Sequence, residues 1–202
     1  MSGVSEFEQR DASSRMVVEE NDTGRRVLRG MPIVFNSPSH VLYHPFIGKF
    51  REVIKPEAVD RTLRATTSVK ALWNHNSDLV LGNTRAGTLL LRKMTNGLAM
   101  EIHPPSWAAP QVETVERGDV DGMSFSFNVM DGGDDYIAGD DGIPTREVSD
   151  MTFKEVSIVA FQAYPAANTV TVSKRSLELF RESMSGSRID WLRKVHQTRL
   201  AR

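Results

Sequence analysis

Apolar and polar residues alternate over short stretches along most of this chain, and helical spacing is confined to a few segments. From Arg26 onward the runs RVLRGMPIVF, FIGKFREVI, SVKALWNH, TLLLRKM, LAMEI, MSFSFNVM, FKEVSIVAF and NTVTV each read as a β-strand. Asn96-Gly97, between the fourth and fifth runs, predicts a tight hairpin, because both residue types tolerate the positive φ of a type I′ turn. Two helices interrupt the strands. In KPEAVDRTLRAT, Pro56 suits a first helical turn and Val59 and Leu63 share a face; in APQVETVERG, Pro110 opens and Gly118 closes the segment. Beyond Ser173 the spacing turns helical again, in SLELFRESM and IDWLRKVHQTRL, with capping-box spacing at Ser187 and Asp190.

Charge divides the chain into three parts. The whole carries 25 Lys and Arg against 26 Asp and Glu, a formal charge of -1 that argues against a life of neutralising nucleic acid. Residues 1–25 read as a polar acidic tail, residues 26–172 as the folded body, and residues 173–202 as a basic helical extension. The extension has eight bases (Lys174, Arg175, Arg181, Arg188, Arg193, Lys194, Arg199, Arg202) against three acids (Glu178, Glu182, Asp190). Its apolar positions Ile189, Leu192 and Val195 need a surface to cover, which points to docking on another chain or to removal during processing. At 202 residues a self-supporting core is expected. With no cysteine, disulfides, thiolate nucleophiles and cysteine metal sites are excluded. The opening MSGVSEFEQR has no apolar core of a signal peptide and no stretch approaches a membrane span, so no membrane partner is expected.

Three positions carry candidate chemistry. His75, in Leu72-Trp73-Asn74-His75-Asn76, stands where a strand gives way to a polar turn; on composition alone it is a polar residue closing a strand. In Gly122-Met123-Ser124-Phe125-Ser126-Phe127 alternation sends the three bulky residues to one face and Ser124 and Ser126 to the other, where one can be exposed to a substrate. In Phe153-Lys154-Glu155-Val156-Ser157-Ile158, a buried glutamate within an apolar run needs a partner, for which a neutral histidine or an arginine serves. His40 and His44 have helical metal-pair spacing but sit in a loop-like context without a completing carboxylate, and His103 before Pro104-Pro105 reads as a strand exit. The acid-rich stretch 131–142 lacks calcium-loop spacing and reads as a long solvated hairpin loop. Neither metal nor cofactor is expected.

Taken in order, Arg-Gly-x-Pro-Ile-Val-Phe-Asn, Phe-Arg-Glu-Val-Ile-x-Pro, Trp-Asn-His-Asn, Gly-Met-Ser-Phe-Ser-Phe, and Lys-Glu-Val-Ser-Ile-Val followed by Ala-Tyr-Pro-Ala-Ala resemble the prohead (capsid maturation) serine proteases of tailed phages over residues 26–172. The resemblance implies an α+β, β-rich fold: an assemblin-like β-barrel flanked by helices, as in the herpesvirus assemblin proteases. It implies a serine endopeptidase that trims capsid protein, scaffold protein and itself inside the phage prohead in the host cytoplasm, with self-association and no cofactor. Carried over, the base falls at His75, the nucleophile at Ser124 and the third member at Glu155, where the herpesvirus enzymes use a second histidine. Two departures stand out: Glu57-Ala58-Val59 replaces the usual Gly-Ala-Phe, and Ser126 stands where glycine is common, which makes it a rival nucleophile. Backbone N–H groups are expected to supply the oxyanion donors, though the sequence does not assign them. The alternative function is a catalytically silent relative acting as a structural or scaffolding component of the prohead.

Overall fold

The structure, a computed structural model, describes residues 8–11, 16–21, 25–65 and 68–161. The strand expected over residues 168–172 and the basic helical extension lie outside these residues. In chain order come β1 (Glu8–Asp11), β2 (Val17–Glu20), β3 (Arg26–Val34), β4 (Leu42–His44) and β5 (Gly48–Ile54). A 3₁₀ turn at Pro56–Val59 runs into α1 (Asp60–Arg64). Then follow β6 (Lys70–Trp73), β7 (Asn76–Asn83), β8 (Leu89–Lys93) and β9 (Gly97–Ile102), a second 3₁₀ turn at Ser106–Ala108, and α2 (Ala109–Glu116). The last described strands are β10 (Gly122–Val129), β11 (Asp134–Ile137), β12 (Thr145–Val148) and β13 (Met151–Val159).

Among the described residues these strands form three sheets, ordered β1-β10-β13-β6-β7, β11-β12-β5-β4 and β2-β3-β9-β8. The β-rich class expected from the alternation is present, with two short helices, but the expected barrel is not closed. Closure needs an unbroken circuit of strand pairing, and here the edge strands β1, β7, β11, β4, β2 and β8 leave three separate sheets. One apolar core joins them, with Leu28, Ile33, Leu98 and Ile102 from the β2-β3-β9-β8 sheet and Met123, Val156 and Ile158 from the five-stranded sheet. Contact between these sheets is close at Gly30, where an added Cβ would lie 2.4 Å from Met123 Sδ.

Three local expectations change. The hairpin between β8 and β9 turns at Thr95-Asn96, with the Met94 N–H donating to the Gly97 carbonyl at 2.8 Å, so Gly97 is already a strand residue. Its missing side chain serves packing instead, since a Cβ there would meet the Ile33 carbonyl oxygen at 2.4 Å. Within the stretch expected to be a polar tail, Glu8–Asp11 and Val17–Glu20 are strands, added antiparallel to β10 and β3. The acid-rich stretch holds β11, whose Asp134 and Tyr136 point inward while Asp135 and Ile137 face solvent. A buried guanidinium, not solvent, receives Asp134, and that partner lies twelve residues away on β12.

The helices anchor the site's main strand. Thr62 of α1 is buried; its hydroxyl accepts the Phe153 N–H at 3.1 Å, and Arg61 forms an ion pair with Asp150 just before β13. In α2, Val112 and Val115 enter the core.

Candidate active site

His75 owes its position to a two-residue hairpin. Trp73 pairs with Asn76, leaving Asn74 and His75 as the turn, at φ 50° and 58°. Positive φ at both central residues is what a two-residue hairpin with right-handed strand twist requires. The same chemistry expected at Asn96-Gly97 thus occurs here, with asparagine supplying tolerance of the left-handed region. Asn74 also ties the turn to the end of β13: its N–H donates to the Ile158 carbonyl at 2.8 Å and its Oδ1 accepts the Ala160 N–H at 2.9 Å.

Glu155 lies on β13 directly opposite Ser126 of β10. Its Oε1 is 2.5 Å from His75 Nδ1 and accepts the Ser126 hydroxyl at 3.0 Å. Burial pushes the Glu155 carboxyl up, but the hydrogen bonds from His75 and Ser126, with the nearby His75 and Lys154 charges, outweigh it and hold the group below the usual carboxylate range. An ionised Glu155 fixes the proton of a neutral His75 on Nδ1 and leaves Nε2 as the acceptor. The carboxylate in an apolar strand therefore has the histidine partner that its sequence context demanded.

Ser124 sits two residue pairs further along β10, opposite Ser157. Its hydroxyl donates to the backbone carbonyl of Arg10 on β1 at 2.9 Å, not to His75. The alternation predicted an open face for the two serines, whereas Ser124 is 1% and Ser126 4% exposed, because β10 is an interior strand flanked by β1 and β13. Ser157 is fully buried beside them, and its hydroxyl has no hydrogen-bond partner among the described residues. The structure thus joins His75, Glu155 and Ser126 directly and places Ser124 two residue pairs along the same two strands, bonded to Arg10.

A second polar group was not anticipated. Arg146 of β12 is 0% exposed and forms ion pairs with Glu8 (2.5 Å), Glu52 (2.9 Å) and Asp134 (2.7 Å). Arg10 pairs with Glu8 at 2.9 Å and with Glu52 at 2.7 Å, and lies 5.2 Å from the centre of the Phe127 ring. Burial pushes the Glu8 carboxyl up, yet Arg146 and Arg10 together hold it below its ordinary value of 4.5. Three carboxylates thus face two guanidiniums. The signal for Glu52 was available, since it sits in Phe50-Arg51-Glu52-Val53-Ile54 as Glu155 does in its own apolar run; Arg146 and Glu8 lacked any such setting.

Two other histidines have partners of their own. His44 ends β4, a strand and not a helix, and burial holds its imidazole below the usual histidine value while Nδ1 accepts the Phe46 N–H at 3.2 Å. His103 bonds to Glu101 at 2.9 Å. Among the described residues, no group of three or more His, Asp or Glu side chains is arranged to hold a metal.

A histidine braced by a buried carboxylate is the base-and-acid half of the arrangement that serine hydrolases use; the hydroxyls of Ser124 and Ser126 are bonded to Arg10 and Glu155. The chain matches the family model of the caudovirus prohead serine protease over residues 14–183, and it belongs to that family, whose function class is capsid maturation by a serine peptidase. No match was found among curated proteins or among solved structures.

Proposed function

We propose that this chain is the serine endopeptidase of a phage prohead, cutting capsid and scaffold proteins within the immature shell, with Ser124 as nucleophile, His75 as general base and Glu155 as the group that orients His75. The contact of His75 Nδ1 with Glu155 Oε1 carries this reading. With Nδ1 held by the carboxylate, Nε2 takes the serine proton as the hydroxyl attacks the scissile carbonyl. The imidazolium so formed is stabilised by Glu155 and then returns the proton to the leaving nitrogen.

Ser126 is the second candidate nucleophile, because its hydroxyl bonds to Glu155. That bond argues for a different role. A nucleophile must reach Nε2, on the far side of the ring from the carboxylate, so a hydroxyl spent on Glu155 steadies the acid instead. Ser124, two residues along on the same strand face, is free of that duty. The hydroxyl proton rests on the Arg10 carbonyl and must turn toward His75 before the oxygen attacks.

Purified Ser124→Ala and Ser126→Ala, incubated with the phage capsid protein, test the assignment. Ser124→Ala should abolish cleavage, and Ser126→Ala should retain it within about tenfold, the size of effect expected from one lost hydrogen bond to a charged group. Cleavage surviving in Ser124→Ala but not in Ser126→Ala transfers the role. A wild-type chain that cuts neither capsid nor scaffold protein favours the silent structural relative.

A further inference from the structure

Strand β1 lies at the outer edge of its sheet, paired to β10 alone, and precedes the stretch matched by the family, which begins at residue 14. Its pairing sets Asp11 opposite Ser124 and Glu8 opposite Phe127. Alternation then sends Glu8 and Arg10 together to one face, where each meets an opposite charge that does not depend on β1: Arg146 for Glu8 and Glu52 for Arg10. Arg146, Glu52 and Asp134 already hold one another without β1. The carbonyl of Arg10, meanwhile, is the group that the Ser124 hydroxyl contacts.

An extended segment added to a sheet edge, with alternate side chains seated in matched pockets, is how strand-binding sites read peptides. We propose that the outer edge of β10, with Arg146 and Glu52 behind it, is the substrate-strand site of this enzyme, that it takes an extended peptide with an acidic residue followed two positions later by a basic one, and that Glu8–Asp11 occupies it as the chain's own first substrate. The proposal rests on the endopeptidase reading above. The bond presented to the nucleophile is Arg10–Asp11. Ser124 Oγ adds to the Arg10 carbonyl carbon while its proton passes to His75. The C–N bond to Asp11 breaks and that nitrogen takes the proton. Water then hydrolyses the ester, restoring Ser124 and leaving a carboxylate on Arg10 and a new amino terminus at Asp11.

The test uses the full chain. Intact-mass measurement of wild type and Ser124→Ala, held concentrated over days, should show loss of residues 1–10 in the wild type only. Two synthetic peptides of residues 4–15 should differ as substrates: the native sequence should be cut between Arg and Asp about tenfold or more faster than one with Glu8→Gln and Arg10→Gln, since charged subsites are left unpaired by the amides. Cleavage of capsid protein with the Arg10–Asp11 bond intact, or equal rates on both peptides, overturns the strand site and leaves the endopeptidase standing. If the chain cuts nothing, anisotropy of the labelled peptides with Ser124→Ala decides. Binding of the native peptide about tenfold tighter then upholds the site without the catalysis, and equal binding removes both.

Discussion

Replacing Glu155 by glutamine keeps the size of the side chain and removes the charge that contacts His75. Oε1 lies 2.5 Å from Nδ1, and the side chains are 12% and 24% exposed, so solvent screens the pair only in part. Taking the centres of charge as about 4 Å apart and an effective dielectric of about 20, the carboxylate stabilises an imidazolium by about 4 kcal/mol. The imidazolium forms as the serine gives up its proton, so losing this stabilisation is expressed in turnover, as about a thousandfold loss. Glutamine can also present its NH₂ to Nδ1, which favours the wrong tautomer and adds to the loss. The assay is kcat on a capsid-derived peptide at constant pH, with KM and the thermal midpoint measured alongside. KM should change little and the fold should persist, because the amide keeps the volume of the side chain and can bond Ser126 through either its oxygen or its NH₂. A Glu155→Gln rate within about threefold of wild type refutes this account of the carboxylate, since it corresponds to less than about 1 kcal/mol.

Two further outcomes follow from the buried ions. Arg146→Met removes the guanidinium shared by Glu8, Glu52 and Asp134 and leaves three buried carboxylates with Arg10 alone; denaturant unfolding should show a loss of about 3–5 kcal/mol, and a loss under about 1 contradicts the network's role. Glu8 and Glu155 both titrate below their ordinary 4.5 in the folded chain, so their stabilisation is complete above that value and is lost as pH falls through the lower folded values. The thermal midpoint should therefore decline gently as pH falls below 6.5, where His44 is held below its ordinary value, and more steeply below 4.5, whereas a midpoint unchanged down to about pH 3 counts against the assignment.

Strand alternation located most of the β-elements because it depends on neighbouring residues alone. What it missed depends on distant partners. Asp134 reads as loop until Arg146 is beside it, and Glu8 and Arg10 read as tail until Glu52 and Arg146 supply counter-charges. Gly97 promised a turn because the sequence does not reveal that the β3 backbone passes within reach of its Cα. His75, Ser124 and Glu155 were legible as candidates, and Glu155 announced its need for a partner. That the hydroxyl touching Glu155 is Ser126, and that Ser124 rests on Arg10, follow from strand register, which a single sequence does not specify.

Activation of Ser124 by His75 is the step on which the proposed proteolysis depends. Labelling with a fluorophosphonate, which reacts with an activated serine and with no ordinary hydroxyl, followed by peptide mapping, tests it most directly. The expected result is label on Ser124, abolished in His75→Ala and strongly reduced in Glu155→Gln. Label on Ser126, or label on Ser124 that persists unchanged in His75→Ala, contradicts it.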